Sequence, residues 1–171
     1  MKYDNLNIDI KLPLDGMGIV FYSDGAVKDI KEGYNYFQNE YSEPEQVAKH
    51  VKKGDIVGFC TGSGGDYTLK FRSGYPTEEV DELYPLQIRL AIDVEGNRIC
   101  IKDLFWLMDW DSYCPEEQQV EIEKGIYHIT LCTVKPKSGI WGDDQTIYVY
   151  LNRLNEMPQL AWEGVPMLFK D

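Results

Sequence analysis

The stretch Gly58-Phe59-Cys60-Thr61-Gly62-Ser63-Gly64-Gly65-Asp66-Tyr67-Thr68-Leu69-Lys70-Phe71 decides between two kinds of fold. A glycine loop that holds phosphate leads from a strand into a helix, so that backbone N–H groups and the positive helix end face the anion. Here Tyr67, Leu69 and Phe71 fall on one side and Thr68, Lys70 and Arg72 on the other, which is the two-residue period of a strand. The loop also lacks the GxxxxGK[ST] lysine and the GxGxxG spacing. Gly62-Ser63-Gly64-Gly65-Asp66 therefore reads as the tip of a β-hairpin, where glycine supplies the positive φ angles of a tight reversal.

The same period runs outward from this point. Leu6, Ile8, Ile10 and Leu12 alternate with polar residues, and the pattern returns at 119–123, 127–134 and 146–151. Further strands are expected at 55–60, 66–72, 86–94 and 98–102. Glu95-Gly96-Asn97 and Lys124-Gly125 are turn signals between strands, and such short connections predict antiparallel hairpins. Helix is scarce: 43–51 starts with acids and a proline and ends with bases, 24–34 offers a second short helix, and 103–108 one capped turn. The acidic, proline-flanked segment 73–85 reads as a surface excursion and 157–166 as a packed strap. Many short alternating strands with little helix predict one domain, 1–171, with an all-β, mainly antiparallel β-sandwich and one to three short peripheral helices.

Charge narrows the partner. The chain carries 17 basic and 29 acidic residues, a formal net charge of -12. Residues 73–125 hold thirteen carboxylates against Arg89, Arg98, Lys102 and Lys124, a local charge of -9 that leaves only -3 for the remainder. A field of this sign repels nucleic acid and anionic membrane and attracts basic surfaces. The first residues show no basic start followed by an apolar block, and no run approaches the roughly 18 apolar residues of a membrane helix. A soluble, cytoplasmic, bacterial-type protein is the expectation. Cys60, Cys100, Cys114 and Cys132 form no CxxC pair, and His50 and His128 are the only histidines, so no zinc site and no cofactor is expected. The thiols read as reduced, mostly buried apolar groups.

The most distinctive composition is Lys102-Asp103-Leu104-Phe105-Trp106-Leu107-Met108-Asp109-Trp110-Asp111-Ser112-Tyr113. Ring faces attract cations and carboxylates accept their hydrogen bonds, so this segment suits Arg and Lys of a partner. Asp103, Asp109, Trp110, Asp111, Tyr113, Glu116 and Glu117 are the candidate contacts, with Trp110 exposed and Trp106 buried. The loop Ser138-Gly139-Ile140-Trp141-Gly142-Asp143-Asp144 extends the surface through Trp141, Asp143 and Asp144 if both loops share one end of the sandwich. A calcium site at Asp109 and Asp111 lacks its remaining ligands, and no catalytic residue is assigned. Two other readings stand beside this one. Trp110, Trp141 and Tyr113 would serve a carbohydrate or small-ligand module as stacking platforms; a hydrolase would need His50 or His128 within reach of a carboxylate and a nucleophile.

Three segments carry a family likeness: Val94-x-Gly96-Asn97-x-Ile99-x-Ile101, then Gln119-Val120-Glu121-Ile122, then Lys124-Gly125-x-Tyr127-x-Ile129-Thr130-x-Cys132-Thr133-Val134. They resemble the second half of the bacterial competence nuclease-inhibitor family, small β-sandwich proteins. The segment 24–33 followed by Tyr34-Asn35-Tyr36 is similar to that family's early acidic helix-to-strand region. The likeness covers about half of the chain, which departs from the family in its length, its aromatic insert at 103–113 and its tail after Val134. The resemblance implies a binding protein that neutralises a basic enzyme, as an immunity or nuclease-inhibitor protein does, and no inhibitory residue carries over.

Overall fold

A computed structural model describes residues 5–170; Met1 to Asp4 and Asp171 lie outside it, and with them the first residues of the leader-free reading. Nine strands form in chain order: β1 (Asn7–Leu14), β2 (Gly18–Tyr22), β3 (Ile56–Cys60), β4 (Gly65–Ser73), β5 (Leu86–Val94), β6 (Arg98–Asp103), β7 (Gln119–Glu121), β8 (Gly125–Thr133) and β9 (Gln145–Leu154). They build a five-stranded sheet in the order β1-β4-β9-β8-β5 and a four-stranded sheet in the order β3-β2-β6-β7. All pairs are antiparallel except β4 with β9. The fold is an all-β sandwich. Its core lies where Ile19, Phe21, Val57 and Phe59 of one sheet face Leu69, Phe71, Ile129, Val149 and Leu151 of the other. Phe21 meets Phe59 edge-on at 5.5 Å within its own sheet and Phe71 at 5.8 Å across the gap.

The short turns do not make hairpins. Residues 15–17 link β1 to β2, 61–64 link β3 to β4, 95–97 link β5 to β6 and 122–124 link β7 to β8, and every one of them crosses between the two sheets. The hairpin reading of 62–66, 95–97 and 124–125 is thus corrected to an arch. A hairpin keeps two apolar faces side by side in one sheet, whereas an arch turns them toward each other across the core. Both demand the same local turn residues, so composition alone does not separate them.

The glycine loop turns the chain and meets no helix. Gly65 has φ +139 and Gly142 φ +87, and a side chain on either would collide with the opposite loop, at Gly142 O and Gly64 O respectively. Asp66 N donates to Gly142 O at 2.8 Å, and Ser63 Oγ donates to Trp141 O at 2.6 Å. Ser63 O accepts from Thr61 Oγ1 and Tyr67 OH, both at 2.8 Å. The loop spends its polar atoms on its own neighbours.

Strand β2 had no sequence signal. Its five residues are all buried, the inner face against the core and the outer face under helical and loop cover, so the apolar run has no alternation to reveal it. Four short helices surround the sheets: α1 (Asp24–Val27), α2 (Tyr36–Glu40), α3 (Pro44–Lys53) and α4 (Glu78–Leu83). That is one more than expected, because α4 forms inside the acidic segment 73–85, where the Thr77 side chain accepts from Val80 N. Only α3 exceeds six residues, with Pro44 in its first turn and the Gln46 side chain accepting from Glu43 N at 3.0 Å. The chain after β9 is the expected strap: Cys60 N donates to Pro166 O and Leu168 N to Cys60 O, each at 2.8 Å, closing over the β3 edge. Among the described residues no helix is long and apolar enough to cross a membrane.

The two arched loops give the first prediction. Gly65→Ala should lose about 3 kcal/mol, combining a positive φ with a backbone collision. Gly74→Ala, at φ +87 but facing open space, should lose about 1 kcal/mol. Denaturant unfolding of both variants checks this, and equal losses would contradict the arch contact.

Candidate functional site

The acid-rich aromatic segment begins where β6 ends. Asp103 is buried and accepts three backbone hydrogen bonds: Phe105 N at 3.0 Å, Asp15 N at 2.9 Å and Gly16 N at 3.0 Å. It caps the 3-10 turn Leu104–Met108 and pins the 15–17 arch to it. Asp103 was expected on the surface as a contact; its three bonds place it inside as a brace.

Lys102 precedes it on the outer face of the four-stranded sheet, fully buried at 0% exposure. Its Nζ lies 4.8 Å from the Trp110 ring centroid, 5.0 Å from Trp106 and 5.5 Å from Tyr22, and donates to Asp111 O at 2.7 Å. Burial holds the ammonium below the ordinary lysine range, against the pull of neighbouring thiols and of Asp111 and Glu32. The aromatic segment therefore closes on a cation of its own chain. Backbone pairing completes the closure: Trp110 N donates to Tyr34 O at 3.0 Å and Gly33 N to Trp110 O at 2.7 Å.

This overturns the expected exposure of the two indoles. Trp110 is 2% exposed and packs on Tyr22 at 5.4 Å, while Trp106 is 37% exposed. The 3-10 turn carries Phe105, Trp106 and Met108 outward and Leu107 inward. Trp110 is thus neither a surface contact nor a stacking platform. Among the described residues Trp110 Nε1 is buried without a hydrogen-bond partner, and burial first, with Cys100 and Cys114 beside it, pushes the Tyr22 phenol far up.

What remains outside is contiguous in the chain. Asp109, Asp111, Tyr113, Glu116 and Glu117 are exposed, Tyr113 at 65%. Asp111 Oδ1 accepts from Tyr113 N at 2.9 Å, and Glu32 Oε1 from Ser112 N at 3.0 Å, which fixes the loop's path. The second loop is separate. Trp141 is half-buried with Lys135 Nζ 5.6 Å from its ring, Asp143 and Asp144 are exposed, and the loop is tied to the glycine arch. No hydrogen bond, ion pair or ring contact among the described residues joins it to 109–117. The thirteen carboxylates of the middle third also divide. Those of α4 stand on the outer face of the five-stranded sheet, where Val80 and Tyr84 pack with Cys132, Tyr148 and Tyr150. Those at 109–123 follow the four-stranded sheet, and Glu123 pairs with Arg153 at 3.0 Å. All four cysteines are free, and three of them are buried.

The histidines supply an arrangement the sequence did not show. His50 Nδ1 lies 2.9 Å from Asp55 Oδ1, and its Nε2 3.1 Å from Tyr36 OH. The network assigns the proton on Nδ1 toward the carboxylate, leaving Nε2 to accept from the phenol. Carboxylate, imidazole and hydroxyl are in line, but the hydroxyl is a poor nucleophile: burial, then Glu40, Asp55 and Tyr34, push the Tyr36 phenol well up. The chain of bonds ties α2, α3 and β3 together. Burial opposes ionisation of Asp55, yet His50, the Ile56 N–H and Lys53 outweigh it and hold the carboxyl below its ordinary value. His128 faces Tyr75 OH at 2.8 Å, and burial, then Arg89, lower its pKa.

The chain matches no protein-family model, and no curated protein is similar to it at a significant level. Two solved structures are similar in fold. One, described as "Crocagin biosynthetic gene J", is 13% identical with a TM-score of 0.54, over 84% of this chain and 96% of that chain. The other is ComJ from Bacillus subtilis, described as an inhibitor of the DNA degrading activity of NucA; it is 11% identical with a TM-score of 0.48, over 86% of this chain and 96% of that chain. At 13% identity, the likeness to the first of these speaks for the fold alone.

Two predictions follow from the buried groups. Lys102→Met should keep stability within about 1 kcal/mol at neutral pH, because removing a desolvated charge offsets the lost ring and carbonyl contacts. Lys102→Ala should lose about 3 kcal/mol to a cavity. The folded lysine binds its proton less tightly than the unfolded one, so wild type should gain stability relative to Lys102→Met as pH rises toward about 10.4. For Asp55 the sign reverses. Its depressed pKa contributes stability above about pH 4 that disappears as pH falls through the folded value. The gap between wild type and Asp55→Asn should therefore close in acid, as read from denaturant midpoints below about pH 4.

Proposed function

We propose that the protein is a non-catalytic binding protein of the immunity or nuclease-inhibitor kind, acting in the cytoplasm on a basic protein. The observation that carries this reading is the surface of 105–117. Asp109, Asp111, Glu116 and Glu117 stand exposed beside exposed Phe105, Trp106, Met108 and Tyr113, while Lys102, the one basic residue of the segment, is buried. Carboxylates at the rim would speed encounter with a positive partner, and the exposed rings and Met108 would supply contact area that leaves water. Lys102 and Asp103 hold that surface in one shape, so little ordering is left for the moment of binding. The resemblance to the competence nuclease-inhibitor family agrees in kind.

The second loop contributes less to this reading. Trp141 already carries Lys135 over its ring, and Asp143 and Asp144 share their loop with Lys135 and Lys137. The proposed surface therefore centres on Asp109, Asp111, Tyr113, Glu116 and Glu117, with Trp106 taking the role first given to Trp110.

Affinity capture from the native extract at low and physiological salt tests the reading, paired with the variant Asp109→Lys/Asp111→Lys/Glu116→Lys/Glu117→Lys. The captured partner should be basic, and its association rate should fall at least about ten-fold with added salt and again in the variant. A partner retained equally by the charge-reversed protein would rule out this surface.

A further inference from the structure

Helix α3 gathers Lys49, Lys52 and Lys53 in its last turns. Bases there suit the negative end of the helix dipole, which explains their position along the helix. What faces them is a separate matter. After β9 the strap runs alongside α3, and an open cleft of about 750 Å³ lies between the two. Lys49, Lys52 and Lys53 form one wall and Trp162 another, with Glu45 and Glu163 also lining it. The volume falls in the range of small-molecule sites, roughly 300–1,000 Å³.

The wall is a fixed ring opposite unspent charge. Trp162 is half-buried, packs against the core, and its Nε1 donates to Arg89 O at 3.4 Å, so the indole edge is anchored. Lys53 leans toward Asp55 Oδ2 at 3.7 Å. Among the described residues Lys49 and Lys52 have no carboxylate within ion-pair distance, and both are exposed. With Lys53 held by Asp55, Lys49 and Lys52 balance Glu45 and Glu163, so in a chain of net charge -12 the cleft is a locally uncharged site with two unpaired ammoniums. A flat π face beside ammonium groups selects a ligand with a planar ring at one end and concentrated negative charge at the other. Two unpaired lysines match a dianion better than a single carboxylate.

We propose that this cleft binds a small aromatic phosphate monoester, of the class of a nucleoside monophosphate. The phosphate sits against Lys49 and Lys52, and the ring lies on the Trp162 indole. Glu45 and Glu163 disfavour longer, more highly charged polyphosphates. This site is independent of the acidic surface at 105–117 and shares no residue with it.

The test is a titration of the isotope-labelled full chain with AMP, adenosine and inorganic phosphate, following the Trp162 indole N–H and the α3 amides by NMR. AMP should shift these signals saturably with a dissociation constant below about 1 mM at low salt, and adenosine or phosphate alone should bind at least about ten-fold more weakly. Lys49→Glu/Lys52→Glu and Trp162→Leu should each weaken AMP by about ten-fold or more, while Trp141→Leu should change nothing. The lysine variant alters only exposed side chains, so it stays informative if the tryptophan variant fails to fold. No saturable shift at about 10 mM AMP, an AMP affinity untouched by the lysine variant, or phosphate binding as tightly as AMP would each overturn the proposal.

Discussion

Everything in this molecule follows from the requirement that two apolar sheet faces meet. A single sheet of these strands would leave Ile19, Phe21, Val57 and Phe59 in water, and burying such side chains contributes roughly 1.5–3 kcal/mol each. The chain meets the requirement by changing sheet at each short turn, so that every arch brings two inward faces together. The turns are therefore under strict geometric demand. Gly65 and Gly142 approach too closely for side chains, and Asp103 spans 88 positions of sequence to hold the 15–17 arch. Loop chemistry here serves the core before it serves any partner.

The aromatic insert shows how that priority shapes a surface. Composition marks 102–113 as a receptor for a cation, and chemically that is correct. The cation it receives is Lys102, one position inside the end of β6, encircled by Tyr22, Trp106 and Trp110. A foreign lysine would have to displace an intramolecular one that has already given up its water. The carboxylates left outside are consequently free of that role, and they ride on a loop with one defined path.

Much of the sandwich was legible because half-buried strands alternate. Eight of the nine strands carry enough of that pattern to be read. Strand β2 does not, since covering by α2 and the aromatic insert makes both of its faces apolar. Hairpin and arch were indistinguishable because they differ only in which distant strand each partner joins. Helix α4 was hidden in an acidic stretch whose Val80 is its one buried residue. At the site, the acids at 109, 111, 116 and 117 were legible as exposed charge, while Asp103 and Trp110 were misplaced. Their burial depends on Gly16, Tyr22 and Tyr34, all remote in sequence. The His50 relay left one local sign, an aspartate five positions on at the start of β3; its third member, Tyr36, gave none.

The position of β9 has a consequence for how the chain comes into being. The last strand made is the central one of the five-stranded sheet, between β4 and β8. During synthesis the β1-β4 and β5-β8 pairs can assemble early, but they remain two half-sheets with raw inner margins until residues 145–154 clear the ribosome. Such nonlocal closure is slow, and unpaired margins invite neighbouring nascent chains. The polypeptide is thus most exposed to aggregation on polysomes while β1 to β8 are made and β9 is not, which is where a chaperone would have its greatest effect on yield.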